Sequence, residues 1–325
     1  MTSAAFDVLG IGNAIVDVIT HADDSFLTKH ALVKGSMTLI DEAQAETLYG
    51  AMGPGVEISG GSCGNTIAGV ASFGGKGAYV GKVRNDQLGA VFGHDLRATG
   101  VTFDTAQATE GPSTARCLIV VTPDAQRTMN TYLGACTRLG PPDIDVAQVA
   151  AAQVTYVEGY LWDPPEAKKA VLKAFDAAHA AGRKVSITLS DSFCVDRYRD
   201  EFRALIRDKV DILFANESEI KSLYQVDSFE AALAAARAEN KICALTRSEK
   251  GSVVIKGSEI HAVPAAPVAR VVDTTGAGDL YAAGFLFGFT HNKPLAECAQ
   301  LGGIAAAEVI SHVGARPEKA LKGLI

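Results

Sequence analysis

Short apolar runs alternate with stretches of helical periodicity from one end of the chain to the other, and few architectures accommodate that rhythm. Phe6–Ile11, Ala78–Gly81, Val154–Val157, Lys184–Leu189, Asp211–Phe214 and Ile242–Thr246 read as buried strands. The stretches 64–73, 87–99, 165–181, 196–207, 217–224, 229–239, 276–289 and 295–311 between and after them read as helices. A strand apolar on both faces needs cover on both faces, and strand–helix–strand repetition supplies it. The predicted fold class is therefore α/β, with a mostly parallel sheet between two helical layers. Asp163-Pro164-Pro165-Glu166 reads as a helix start, with a capping residue ahead of the prolines and an acidic first turn.

Two stretches depart from this pattern. Ile15–Ile40 and Ser113–Leu133 alternate apolar with polar residues such as Thr114, Arg116, Thr128 and Asn130. They are expected to form half-exposed antiparallel strands, joined in a small sheet that folds over one face of the main body as a lid. Ser248–Val263 reads as a hairpin turning at Lys256-Gly257-Ser258. No repeat, low-complexity linker or charge block divides the chain, so residues 1–325 are expected to form a single domain, with lid segments at about 15–40 and 113–133.

The composition suits a soluble globular enzyme: 48% of the 325 residues are hydrophobic and 21% charged. A net charge of −7 without a basic cluster argues against a nucleic-acid partner. A nucleotide held by backbone amides would leave no trace in that sum. The six cysteines, at 63, 117, 136, 194, 243 and 298, include no Cys-x-x-Cys and read as buried reduced thiols. No apolar run reaches the roughly 18 residues that span a membrane. The sequence after Met1 lacks a basic segment followed by a long apolar one. A cytoplasmic location is the expectation.

The chemistry concentrates at residues 270–285, Arg-Val-Val-Asp-Thr-Thr-Gly-Ala-Gly-Asp-Leu-Tyr-Ala-Ala-Gly-Phe. This is a strand, a turn with two glycines and an apolar helix. Gly276 and Gly278 let backbone approach a ligand. The amides of Ala277, Gly278 and Asp279 are expected as unpaired first-turn donors, where helix polarity also favours an anion. Such a site stabilises a transferring phosphoryl group, and Asp279 in the same turn is placed to take a proton from a hydroxyl. A bare glycine-rich helix start is the plainer reading. The joint presence of two Asp, two Thr and a small-residue helix favours function.

Rival readings are weaker. Gly10-Ile11-Gly12 suggests a dinucleotide-binding oxidoreductase, but Ile15 stands where the third glycine belongs. Gly81-Lys82 and Gly75-Lys76 are followed by Val83 and Gly77 rather than Ser or Thr, which disfavours a Walker-type site. A non-catalytic binding protein would have no use for Asp279 beside the anion-binding glycines.

Asp273-Thr274-Thr275-Gly276-Ala277-Gly278-Asp279 resembles the C-terminal signature of the ribokinase-like (phosphofructokinase-B type) kinases. Gly60-Gly61-Ser62-Cys63-Gly64-Asn65, followed by Gly81, Asp86 and Gly89, resembles a second signature, and Asn216-Glu217-Ser218-Glu219 a third. The resemblance covers nearly the whole chain. Arg84 departs from it, standing where the family often has glycine. The resemblance implies a ribokinase-like three-layer α/β/α domain with a β-sheet lid, and an ATP-dependent phosphotransferase with an alcohol acceptor. Within the family, Gly12–Val18, Phe26–Leu32, Ser190–Phe193 and Val210–Phe214 resemble the adenosine kinase branch. That branch implies adenosine as acceptor, giving AMP in purine salvage. A free sugar (ribose or fructose) and inosine or guanosine remain the alternatives.

Carried over by position, the resemblance implies Asp279 as base, with Gly276, Ala277 and Gly278 as the anion hole. Asp17 would accept hydrogen bonds from a vicinal diol, with Asn13, Gly61 and Asn65 lining the same sugar pocket. Alone, Asp17 reads equally as a surface charge and Asn65 as a helix-start residue. Met37, Leu133 and Trp162 are candidates for packing a purine, with an ordinary core role open for each. Arg127 would close over the phosphates or be a solvated lid charge. Asn216, Thr246 and Gly251 would contact the nucleotide, and Glu219 would organise Mg²⁺ through water. Asp273 and Thr275 would hold a monovalent cation, K⁺. The implied partners are ATP and a nucleoside or sugar. Neither a nucleic acid nor a membrane is expected, and a homodimer is open.

Overall fold

The strands, in a computed structural model describing residues 4–124 and 126–325, follow the predicted rhythm closely. Residues 1–3, and Ala125 within the second lid stretch, lie outside the described residues. The strands are β1 (Phe6–Ile11), β2 (Ile15–His21), β3 (Met37–Leu39), β4 (Val56–Ser59), β5 (Gly77–Val80), β6 (Thr102–Phe103) and β7 (Ala115–Val121). They continue as β8 (Arg127–Tyr132), β9 (Ala152–Glu158), β10 (Lys184–Thr188), β11 (Ile212–Asn216), β12 (Ile242–Thr246), β13 (Ser252–Lys256) and β14 (Glu259–Val263). The α-helices are α1 (Asp24–Lys29), α2 (Glu42–Ala51), α3 (Ser62–Ser72), α4 (Gln87–Ala98), α5 (Val146–Ala150) and α6 (Pro165–Ala180). Then come α7 (Ser192–Asp208), α8 (Glu217–Tyr224), α9 (Phe229–Ala238), α10 (Ala277–Thr290) and α11 (Leu295–Val309).

Nine strands form the main sheet in the order β14-β13-β12-β11-β10-β9-β1-β5-β6. All pairings from β12 to β6 are parallel, and β13–β14 adds an antiparallel hairpin at one edge. The reason the strands read as unbroken apolar runs is visible in β1. Val8 belongs to the core shared with α3, α10 and α11, whereas the adjacent Leu9 belongs to the core shared with α6 and α7. Successive side chains point to opposite faces, and both faces are buried. All six cysteines are buried free thiols.

The lid is a second, five-stranded sheet in the order β3-β8-β7-β2-β4. It differs from expectation in three respects. The stretch 15–40 is not all strand, because α1 interrupts it and β3 retains only three residues. The pairing is mixed: β7–β8 and β2–β4 are antiparallel, but β2–β7 and β3–β8 are parallel. A further strand, β4, joins from outside both predicted segments. The starts of α7 and α6 also differ from expectation, the first in position and the second only in its cap. Helix α7 begins at Ser192 because Asp191 caps it, accepting from the Cys194 amide at 2.6 Å. Asp163 does not cap α6; its carboxylate accepts from Tyr198 Oη at 2.8 Å and Arg197 Nη2 at 3.0 Å. Arg84 explains itself here. It donates to the Gly111 carbonyl and bridges to Ala108, bracing the loop that leads into β7.

Candidate active site

In an open parallel sheet the ligand crevice lies beyond the carboxyl ends of the strands, where the strand order reverses. Here the chain leaves β1 towards β5 and β6, then returns to its other side at β9. The ends of β1 and β9 meet at Asn13 and Glu158. Buried Glu158 accepts from the Asn13 amide through Oε1 at 2.9 Å and from the Cys63 amide through Oε2 at 2.9 Å. One carboxylate thus joins the end of β1 to the first turn of α3. Burial pushes its pKa up to about 7 against those two amides. Gly61 caps α3 with φ of 82°, and a Cβ there would lie 2.4 Å from the Asn13 carbonyl oxygen, so only glycine lets these segments touch.

The turn before α10 faces this junction. Gly276 takes φ of 79°, and a Cβ on it would lie 2.9 Å from Ala315 Cα, so the unusual conformation falls on Gly276 and not on Gly278. The Ala277 amide bonds the Thr274 carbonyl at 3.2 Å, contrary to its expected role as a free donor. Leu280 makes the i→i−4 bond to Gly276 O at 2.8 Å, which leaves the Gly278 and Asp279 amides ahead of the helical ladder. Asp279 is gripped by α3: Ser62 Oγ donates to Oδ1 at 2.6 Å and Asn65 Nδ2 to Oδ2 at 3.0 Å. Burial raises the Asp279 pKa, opposed by those two donors and by the Arg316 charge.

Asp17 comes from the lid. On β2 the Val16 and Val18 side chains enter the main core, so Asp17 lies on the opposite face with Ile15 and Ile19. Pairing places Cys117 and Ile119 of β7, Arg127 and Met129 of β8 and Met37 of β3 on that same face. The face is an apolar patch carrying one carboxylate, and it borders a cavity of about 630 Å³ that Asp17, Asn65 and Arg316 also line. Burial lifts the Asp17 pKa to about 6, opposed by Arg127 and Arg316. Arg127 is not a solvated lid charge. It is buried, pairs with Asp273, and has its Nε buried without a hydrogen-bond partner.

Asn216, Glu219, Thr246, Gly276, Ala277, Gly278 and Asp279 line a neighbouring cavity of about 210 Å³. Asn216 caps α8, its Oδ1 accepting from the Glu219 amide at 2.9 Å while its own amide donates to Glu219 Oε2 at 2.9 Å. Burial pushes Glu219 up to about 7. Gly251, with φ of 81°, turns the chain beneath residues 263–265, where a Cβ would lie 2.1 Å from Val263 O. Asp273 is met by protein donors: the Thr275 amide and hydroxyl at 2.9 and 2.7 Å, the Gly314 amide at 2.9 Å, and the Arg127 guanidinium. Burial acts to raise its pKa, but these partners outweigh it and hold the carboxyl below its ordinary value.

Two expected purine contacts lie elsewhere. Trp162 is 3% exposed in the core beneath α7, packed on Phe202, with Nε1 donating to Glu201 at 3.0 Å. Leu133 lines a separate cleft of about 430 Å³ with Leu39 and Tyr132. Sequence reasoning missed Glu158 and Arg316. The first carried a signal, an acid closing an apolar strand just before a glycine. The second is a lone arginine in a loop.

The profile of the pfkB family carbohydrate kinases matches residues 37–320. The structure of adenosine kinase from Sinorhizobium meliloti superposes with a TM-score of 0.92 at 55% identity, covering 99% of this chain and 98% of that one. That of a probable sugar kinase from Rhizobium etli CFN 42 does so with a TM-score of 0.92 at 54% identity, covering 99% and 98%. Adenosine kinase 1 of Arabidopsis thaliana is 27% identical over 353 residues, spanning 98% of this chain and 99% of the plant protein.

Proposed function

This chain belongs to the pfkB family of carbohydrate kinases, and from that premise we propose that it transfers the γ-phosphoryl group of ATP to the 5′-hydroxyl of adenosine, giving AMP and ADP. The observation that carries the reading is a convergence. A carboxylate at an anion-binding helix start, Asp279, is held by Asn65, and Asn65 lines the same cavity as Asp17 on an apolar lid face. Asp17 and Asn65 take the ribose diol, which leaves the primary hydroxyl for Asp279 to deprotonate. Ile15, Ile19, Met129 and Met37 offer apolar surface to a flat base, which a kinase of small free sugars does not require. The adenosine kinases among its relatives support the same acceptor.

The phosphoryl group passes along the amides of Gly278 and Asp279, where helix polarity and unpaired N–H groups stabilise the spreading negative charge. Arg127, whose Nε is buried without a hydrogen-bond partner, would supply a further positive charge from the lid. A carboxylate accepts about four hydrogen bonds, and Glu219 uses two of those sites on Asn216, so it retains capacity for the water shell of Mg²⁺. A magnesium ion held there through water would supply charge neutralisation for the phosphates of ATP. Asp273 and Thr275 do not fit a K⁺ site, because Arg127 already neutralises that carboxylate. The test is chromatographic: adenosine, ATP and Mg²⁺ with the enzyme should yield AMP and ADP in equal amounts. Absence of AMP under conditions in which another acceptor is phosphorylated refutes the adenosine assignment.

A further inference from the structure

Asn65 offers two chemically opposite ends of nearly identical shape. Its Nδ2 lies 3.0 Å from Asp279 Oδ2, and its Oδ1 lies 2.8 Å from Arg316 Nε. Rotating the amide by half a turn would set an oxygen against the Asp279 carboxylate, replacing a donor with a repulsive acceptor. Something must forbid that rotation. A guanidinium has donors only, so Arg316 Nε accepts no arrangement except the one in which Oδ1 faces it. The other end of the guanidinium is fixed as well, Nη2 donating to Ser59 Oγ at 3.2 Å. The loop that carries Arg316 is docked on the turn that carries the base. Gly314 donates to Asp273 Oδ2 at 2.9 Å, and Ala315 packs against Gly276.

We propose that Arg316 is a positioning residue for phosphoryl transfer, locking the Asn65 amide so that it donates to Asp279 and keeps that carboxylate aimed and ionised. The proposal rests on the kinase reading above and adds a residue outside its signatures. Burial lowers the Arg316 pKa to about 10, so it stays protonated at neutral pH, and Asp17, Tyr79, Asp95 and Asp279 surround it. Besides Arg316, the titratable groups facing Asp279 are Asp17 from β2, Cys63 from α3, Tyr156 and Glu158 from β9, Tyr160 just beyond it and Glu219 from α8. All of these are acids. Arg316 is a cation that opposes the effect of burial on the base, and it does so in direct contact with that base's hydrogen-bond donor, Asn65.

The experiment compares wild type, Arg316→Met, Arg316→Lys, Asn65→Ala and the Asn65→Ala/Arg316→Met double variant with adenosine and ATP. Arg316→Met should lower kcat by about 10- to 100-fold, the scale of a misplaced reacting group, with KM for ATP changed less than about twofold. The acid limb of its kcat profile at saturating acceptor should move to higher pH by about one unit, because an opposing positive charge has been removed. Arg316→Lys, which keeps the charge but not the two-point grip, should retain the wild-type limb with a lowered kcat. In the Asn65→Ala background, Arg316→Met should cost no further rate. Full additivity in the double variant, or kcat within threefold of wild type in Arg316→Met, overturns the proposal. If Arg316→Met does not fold, wild-type kcat in Arg316→Lys overturns it. A wild-type enzyme inactive on every acceptor defeats the kinase reading itself, and this inference with it.

Discussion

Replacing Gly278 by alanine separates the fold from the chemistry. Gly278 occupies a helical position with no positive φ, and a Cβ built on it meets no protein atom within 4 Å. The methyl group therefore costs the protein nothing sterically, and Gly278 is one of the residues that line the cavity of about 210 Å³. Alanine also restricts the unfolded chain more than glycine does, which stabilises the fold by about 0.4–1 kcal/mol. For a chain of 325 residues that raises Tm by about 0.6–1.5 °C. The open space is where the phosphoryl group must meet the Gly278 and Asp279 amides, and displacing it from even one donor costs about 10²–10³ in kcat. The assay pairs a thermal melt with initial rates at saturating adenosine and ATP. Gly278→Ala should melt no lower than wild type and turn over at least 100-fold more slowly. Gly276→Ala serves as the contrast: its φ of 79° and a Cβ 2.9 Å from Ala315 should make it less stable. A Gly278→Ala enzyme with normal melting and kcat within threefold of wild type would show that this turn is not the anion site.

Three further outcomes follow from the site. Asp279→Asn should bind ATP with unchanged affinity by titration calorimetry and lose about 10²–10⁴ in kcat, the scale of a general base; near-normal turnover removes Asp279 from that role. Asp17→Ala should raise KM for adenosine much more than KM for ATP in steady-state kinetics, since only the diol loses its partner; equal rises contradict the assignment. Glu158→Gln should destabilise the protein by about 1–3 kcal/mol in urea titrations, because its amide group turns a donor towards one of two backbone N–H groups. The sign of the pH effect is fixed too. The folded pKa of Glu158 is raised from 4.5 to about 7, so its contribution to stability is greatest below 4.5 and is lost as pH rises to about 7. Glu158→Gln should flatten part of that slope, and an unchanged slope would assign it to other groups.

Most of the main sheet was legible because parallel strands buried on both faces leave unbroken apolar runs, as Val8 and Leu9 show by entering opposite cores. The lid was legible only in part. Its strands are apolar on both faces to different degrees, β4 is four residues long at an edge, and α1 is too short to set a periodicity. The turn at 276–279 announced itself locally, whereas the grip of Ser62 and Asn65 on Asp279 spans more than 200 positions and depends on how α3 packs beside α10. For Trp162 the sequence left a pocket role and a core role open, because proximity to a strand end says nothing about which way a ring turns, and the structure places it in the core. Phe202 and Glu201 supply a better environment for it than a solvent-facing pocket would. Arg316 had no local signal, since its meaning lies in the amide it faces.

The most direct measurement is kcat/KM for adenosine, inosine, guanosine, ribose and fructose, with ATP and Mg²⁺ under one set of conditions. An apolar lid face with Asp17 at its centre and Asp279 at the phosphate end of the site should make adenosine the best acceptor, ahead of either free sugar by at least about tenfold, which is about 1.4 kcal/mol of transition-state binding. A free sugar that outcompetes adenosine by tenfold or more would contradict the account of the acceptor pocket while leaving a kinase, and phosphorylation of none of the five would contradict the account of the site itself.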